Sequence, residues 1–423
     1  MSSWRRTYWT VWLSNLVTSI GMMSFLPFFP SLLEEMGVED EALKRTWAGL
    51  IFAGAPLSAT LMSPIWGALG DRFGRKLMVC RSMLAITIFV GGMYFVDSPA
   101  ALFAMRLGQG LFSGFIPPSI TLVSVSAPPE RQGRVAGDLT TALALGGILG
   151  PMLGGWIAAA TAEHRTVFLF VAAASLASAL LVALFAEEDR SKRQVSEGPV
   201  SIGNALRGTA KDIAAVFANP TMRGAAGLIF ALQFGLGAIN PVLELHVREL
   251  LAGPRLEGWS WIARFVPAIE PGNRASIETF ATSLLFGGMA IVNLISLPVW
   301  GRYGDRVGHR PALLLCAIGS VISLGFQAAA TLFGALLLAR LAMGVALAGT
   351  GPLAFGLAAA EVSADRRGGA FGVVFSARTF AVAVGGATGG ALSAVIGVRG
   401  LMVLAALLLL VALEGFRRSS RST

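Results

Sequence analysis

Between positions 7 and 33 the chain carries no charged side chain, and the same holds over 46–70, 107–129, 139–162, 166–186, 224–243, 279–301, 311–339, 341–360 and 379–398. Shorter uncharged runs at 82–96 and 400–413 reach membrane length once Arg81, Arg399 and Glu414 extend their polar heads to the interface. Crossing the hydrocarbon takes about 20 apolar residues per helix. Only 13% of the 423 residues are charged and mean hydropathy is +0.70. Soluble domains carry about 25% charge. The pattern predicts an all-α integral membrane protein with about twelve transmembrane helices.

The net charge of +9 does not mark a nucleic-acid binder, because the basic residues are dispersed over short loops. Their distribution instead orients the chain. With both termini in the cytoplasm, 22 Lys and Arg fall in inner loops and 8 in outer ones. The expected location is the bacterial inner membrane. The N-terminal apolar run is too long for the core of a cleavable signal and is read as the first span. Cys80 and Cys316 fall in separate spans, and His164, His246 and His309 are scattered, so neither a disulfide nor a metal centre is expected. No nucleophile–base arrangement suggests an enzyme. No cofactor is expected; a proton gradient is the expected energy source, and the chain is read as a monomer.

The chain is duplicated. A shift of 234 residues carries Pro64, Trp66, Gly67, Gly70, Asp71, Arg72 and Gly74 onto Pro298, Trp300, Gly301, Gly304, Asp305, Arg306 and Gly308. It also carries Arg106, Gly110 and Pro118 onto Arg340, Gly344 and Pro352. One residue more sets "GGILGPMLGG" (146–155) over the glycines at 385, 386, 389 and 390. Earlier in the chain the shift is 214, aligning "PFFPSLLEE" at Pro27 with "PVLELHVRE" at Pro241, so about 20 residues are inserted on the outer side at 251–276, around Trp259 and Trp261. The expected organisation is a six-helix bundle over 1–187, a cytoplasmic linker over 188–222 and a second bundle over 223–423. Such parallel repeats about an axis normal to the membrane occur in secondary transporters.

"GALGDRFGRK", Arg106 with Gln109 and Gly110, and "GGILGPMLGG" resemble three signature motifs of the major facilitator superfamily, the third marking its antiporter branch. "LPFFPSLLEEMG" and "PVLELHVREL" resemble the MdtG-like multidrug efflux group. The resemblance implies two bundles rocking about a midplane cavity, with protons driving export of small lipophilic or amphiphilic compounds. A lipid or glycolipid flippase and an organic-acid or sugar porter are the alternatives.

Gly67 and Gly70 permit close helix approach, and Gly74 a tight reversal, so that Asp71 can dock on the start of a helix of the other bundle near Arg366 or Gly368. Arg72, Arg75, Glu130, Arg131 and Arg134 are placed to form a charge cluster beside it, with Asp305 and Arg306 as second-half copies. The resemblance gives this motif the same gating role, and ties Arg106 to proton handling. Gly146, Gly150 and Gly154, with Gly155, form a small-residue stripe for backbone contact, bent at Pro151. Asp138 and Glu244 are the candidate proton carriers. Met22, Phe25, Gln109, Phe112, Gln233, Phe234, Asn240, Asn293 and Arg378 are cavity candidates, Arg378 suiting an anionic or zwitterionic amphiphile. If Asp71 latches the inner side, Asp71→Asn should slow turnover about tenfold with substrate affinity nearly unchanged. Equal turnover of variant and parent in reconstituted vesicles would remove the latch.

Overall fold

The computed structural model describes residues 3–128, 132–161, 163–188, 207–208, 210–211, 213–214, 217–252, 274–361 and 367–419. Glu130, Arg131, most of the 188–222 linker and nearly all of the outer insertion lie outside these residues, as do the side chains of Asp71, Arg134 and Phe375 and any substituent geometry at Gly67. Every regular element among the described residues is a helix, and none is a strand.

Twelve spans can be traced among them. The first, Trp4–Glu35, is interrupted by a 3-10 turn at Leu26–Phe28, where Pro27 has no N–H to continue the ladder. Then follow Glu41–Phe73, Arg75–Met93, a fourth span in two pieces (Pro99–Phe112 and Ile116–Ser126), Gln132–Thr161 and Thr166–Phe185. The seventh span, Pro220–Leu250, repeats the interruption at Asn240–Val242 around Pro241. The eighth and ninth are Arg274–Val307 and His309–Ala329, and the tenth is again in two pieces, Phe333–Ala348 and Thr350–Glu361. The last helical run, Arg367–Arg418, divides into the eleventh and twelfth spans at Gly397, whose φ of 72° belongs to glycine.

The duplication is reproduced in detail at its own shift. Gly74 (φ 103°, ψ 149°) and Gly308 (φ 99°, ψ 145°) make the same reversal between consecutive spans. The indole N–H of Trp66 donates to the Leu111 carbonyl at 2.7 Å, and that of Trp300 donates to the Val345 carbonyl at 2.7 Å. Each bond ties the second span of a repeat to its fourth, from positions separated by the same 234 residues.

Contacts divide the chain into Met1–Leu26 with Leu57–Leu206, and Pro27–Pro56 with Arg207–Thr423. The second unit thus takes the end of the first span and the start of the second, a division that differs from one drawn at the linker alone. Both changeovers fall at a proline. Within the first unit, the first span lies on the fifth with almost no side-chain spacing. A methyl placed on Gly146 would overlap Ser19, one on Gly150 would come within 2.6 Å of the Met23 Cβ, and one on Gly154 would overlap the Ser24 carbonyl. Gly155 and Pro151 are buried on the same span. The second unit has its own large apolar core, centred on Leu228, Ile239, Leu285, Leu313, Leu336 and Leu409.

Because Gly154 abuts main chain, which cannot rotate away, Gly154→Leu must separate the first and fifth spans. The variant should lose most of its monodisperse fraction on size-exclusion chromatography, whereas Gly147→Ala, with open space at its Cβ, should not. Matching profiles for the two variants would contradict this packing.

Candidate functional site

The densest charge network lies on the face opposite the termini, inside the second unit. Arg248 of the seventh span donates to both carboxylate oxygens of Glu34 at 2.7 Å, to Glu244 at 2.9 Å and to the Ser31 hydroxyl at 2.7 Å. Its Nε faces Glu278 at 3.7 Å. Ser31 closes the loop: its hydroxyl makes a short hydrogen bond to Glu244 and its backbone N–H donates to the same carboxylate at 3.3 Å. Glu34 also accepts from Lys44 at 2.6 Å, and Glu278 from Arg274 at 2.6 Å. Glu244 is 1% exposed and Lys44 3%, so the network is closed to solvent at its centre.

Its layout follows the duplication with the charges inverted. Glu34 and Arg248 are equivalent positions under the 214 shift, and Lys44 and Glu278 under the 234 shift. One repeat therefore pairs an acid on its first span with a base on its second. The other pairs a base with an acid, and the two pairs are joined through Glu34 and Arg248. Beside them Arg45 donates to Glu249 at 3.2 Å and to the Ser393 carbonyl at 3.0 Å. Glu249 also meets the Nδ1 of the fully buried His246 at 3.1 Å. Backbone packing extends the contact inward. A methyl on Gly49 would overlap the Gly386 carbonyl and stand 2.9 Å from the Gly390 Cα.

On the side of the termini, the candidate gate residues are placed differently from one another. Arg72 is exposed with its guanidinium over the Phe73 ring at 5.7 Å, and Asp305 and Arg306 are exposed, Asp305 lying 3.8 Å from His309. Gly70 is buried against Met78. The backbone N–H of Arg75 donates to Glu188 at 2.7 Å and that of Lys76 donates to the other carboxylate oxygen at 3.1 Å. Glu188 thereby caps the third span where the helix dipole is positive. The carboxylate occupies space that a Cβ at Gly74 would enter, at 2.8 Å. Glu187 is held to the first span by Arg6 and by reciprocal bonds with Thr7 at 2.9 and 3.2 Å.

Asp138 is half-buried and accepts from the Tyr8 hydroxyl at 3.2 Å, while its carbonyl accepts from Trp12 at 3.0 Å. Arg106 is 2% exposed, donates to Gln109 at 2.6 Å and lies over Phe25 at 5.5 Å. Gln109 in turn reaches the Met22 sulfur at 3.0 Å. Phe25 is fully buried edge-on to Phe168, and Phe112 is exposed and stacked on Phe89 at 5.7 Å. Gln233 is buried and Phe234 half-buried beside Phe230, and Asn293 donates to the Gly344 carbonyl at 3.2 Å. Asn240 accepts from Arg340 at 2.9 Å. Arg378 is half-buried near Gly351 and has no ion pair or hydrogen bond among the described residues. The sequence reading picks out none of Ser31, Lys44, Arg45, Glu188, Arg248 and Glu278 as a site residue.

A duplicated, twelve-span helical fold with broken first and seventh helices and buried charges at span ends is the architecture of a polytopic membrane transporter. The Major Facilitator Superfamily model matches residues 11–263 and 225–418. The chain belongs to that family. It is 31% identical to the multi-drug resistance efflux pump PmrA of Streptococcus pneumoniae over 76% of this chain and 72% of that one. It is 29% identical to the multidrug resistance protein MdtG of Klebsiella pneumoniae over 76% and 71%. A bacterial homologue of the human lysosomal transporter Spinster, solved inward-facing and occupied, shares the fold with a TM-score of 0.75 at 14% identity, covering 100% of this chain and 98% of the other.

Removing Arg248 takes a cationic partner from three carboxylates, of which Glu244 and Glu278 are buried, and losing one partner of a buried pair costs about 3–5 kcal/mol. Arg248→Met should therefore lower the unfolding midpoint in detergent by several degrees, and Glu34→Gln, at a 37% exposed side chain, by much less. A midpoint unchanged in Arg248→Met would show that the network contributes nothing to the folded state.

Proposed function

We propose that this chain exports lipophilic or amphiphilic compounds in exchange for protons, from a bacterial plasma membrane in which both termini are cytoplasmic. The observation that carries this is Glu244, a nearly inaccessible carboxylate whose donors come from two different repeats. Opening the outer side must part Ser31 and Glu34 from Glu244 and Arg248. Glu244 then loses the Ser31 hydroxyl and amide and keeps only Arg248, four residues on along its own helix. Re-forming the network returns the Ser31 donors to Glu244. Proton binding and outer opening are coupled through the same bonds.

Asp138, at the other end of the first unit and bonded to Tyr8, is the complementary carboxylate for release on the cytoplasmic side. Buried Arg106 and its Gln109 partner lie on the fourth span of that unit. The outer network is the outer gate, and the Asp71 motif is the inner one. The similarity to PmrA and MdtG supports drugs as the cargo class, and half-buried Arg378 supports substrates that carry a negative group. A membrane potential adds roughly 2.3 kcal/mol per charge per 100 mV to such an exchange.

The decisive measurement is transport in proteoliposomes under an imposed pH gradient. Substrate movement should follow the gradient and collapse when it is dissipated; movement indifferent to pH would exclude proton exchange. Glu244→Gln and Asp138→Asn should each reduce gradient-driven transport about tenfold or more while substrate-for-substrate exchange persists. Full proton drive in both variants would take these two carboxylates out of the mechanism.

A further inference from the structure

The two buried arginines of the repeats have come to differ. Arg106 donates to Gln109 one turn further along its own helix. At the corresponding place after Arg340 stands Met343, which offers no comparable acceptor. Arg340 instead reaches to another span, donating from Nη2 to the Asn240 side chain at 2.9 Å, with Phe286 of the eighth span 5.5 Å from its guanidinium carbon. It is 1% exposed, its Nε is buried without an acceptor, and no carboxylate pairs with it among the described residues. A guanidinium has five N–H donors, and a charge at this depth is kept only where it finds a counter-charge or works on one.

Asn240 opens the 3-10 turn that breaks the seventh span, and Pro241 beside it lacks the N–H that would bond to the Gly237 carbonyl. Asn240 and Phe286 are only half-buried. The arrangement is a cation with open donors, held by a neutral amide at a helix break, next to the face of a phenyl ring. Broken helices of this kind supply the polar groups of substrate sites.

We infer that Arg340 and Asn240 form an anion-binding subsite in the second repeat, taking the carboxylate or sulfonate of an amphiphilic substrate while Phe286 meets its apolar part. This deepens the export function proposed above and rests on it for the identity of the ligand as cargo. Arg340 binds the negative group and Asn240 orients the guanidinium.

The test is equilibrium binding to the full-length protein in phosphatidylcholine nanodiscs, with carboxyfluorescein as the anionic probe and ethidium as the cationic one. Asn240→Asp sets a fixed carboxylate against Arg340. It should weaken carboxyfluorescein binding about tenfold or more and leave ethidium binding equal or tighter. Arg340→Lys should retain part of the anion affinity, and Arg340→Gln should lose it. Equal effects of Asn240→Asp on both dyes, or none on either, would overturn the subsite. If phosphatidylglycerol in the nanodisc displaces carboxyfluorescein from the parent protein and not from Arg340→Gln, the site belongs to a lipid headgroup and the substrate assignment is overturned. Binding is read without a gradient, so failure of proton-driven transport would count against the export mechanism and leave these affinities standing.

Discussion

The ion pair between Glu34 and Arg248 joins two positions that gene duplication made equivalent. Equivalent positions of a parallel repeat can meet only near the axis that relates the repeats, and there identical residues would place like charges together. Divergence to opposite signs turns that conflict into a contact. The inversion extends one shell outward, with Lys44 on Glu34 and Glu278 near Arg248. Pairs of this sort add little net stability compared with apolar packing, yet they are costly to break one-sidedly. That combination suits a contact that must be wholly made in one state and wholly separated in another, with both sets of partners then reaching water.

The same region explains why the end of the first span and the start of the second go with the second repeat. Bonds from Ser31, Glu34 and Arg45, and main-chain contact at Gly49, all lead to residues beyond 207. The eleventh span is built for this double duty. Gly385 and Gly389 face the seventh span, where a Cβ would overlap the Phe234 carbonyl or stand within 2.6 Å of Ala238 side-chain and main-chain atoms. Gly386 and Gly390, one residue on, face the second span at Phe52, Gly49 and Arg45. The paired glycines of the signature are thus two stripes about 100° apart on one helix. In the first repeat the corresponding stripe of Gly146, Gly150 and Gly154 lies against the first span.

What could be read in advance was whatever the chain writes locally or repeats. Span number follows from uncharged runs, and the reversals at Gly74 and Gly308 from glycines flanked by charge at a constant offset. Bonds between distant spans were not legible, because no local pattern says that Ser31 meets Glu244 or that Asn240 meets Arg340. A signal existed for one of them: an acid standing opposite an arginine in the 214 alignment. Glu188 was hidden for another reason. It ends an apolar span and opens a charged stretch, which looks like the start of a linker, whereas its carboxylate caps the third span. Aromatic positions were legible in type and not in direction: Phe25 points into the bundle and Phe112 out of it.

Asymmetry between otherwise matching halves is where transport chemistry can reside. Two identical halves would offer a substrate two identical sites and a proton two identical carriers, with no reason for one direction of exchange. In this chain the first repeat pairs its buried arginine with Gln109 on the same helix, whereas the second leaves the Nε of its own without an acceptor beside a broken helix. The first repeat has Pro30 at the place where the second has Glu244. Asp138 is a glycine-rich-motif neighbour in the first repeat alone, since its counterpart under the 235 shift is Val373, buried in an apolar cluster. Acidic residues and the unsatisfied donor of a buried arginine have therefore been distributed unequally over a common frame. The frame accounts for how the halves pack, and the unequal residues for what can bind to each.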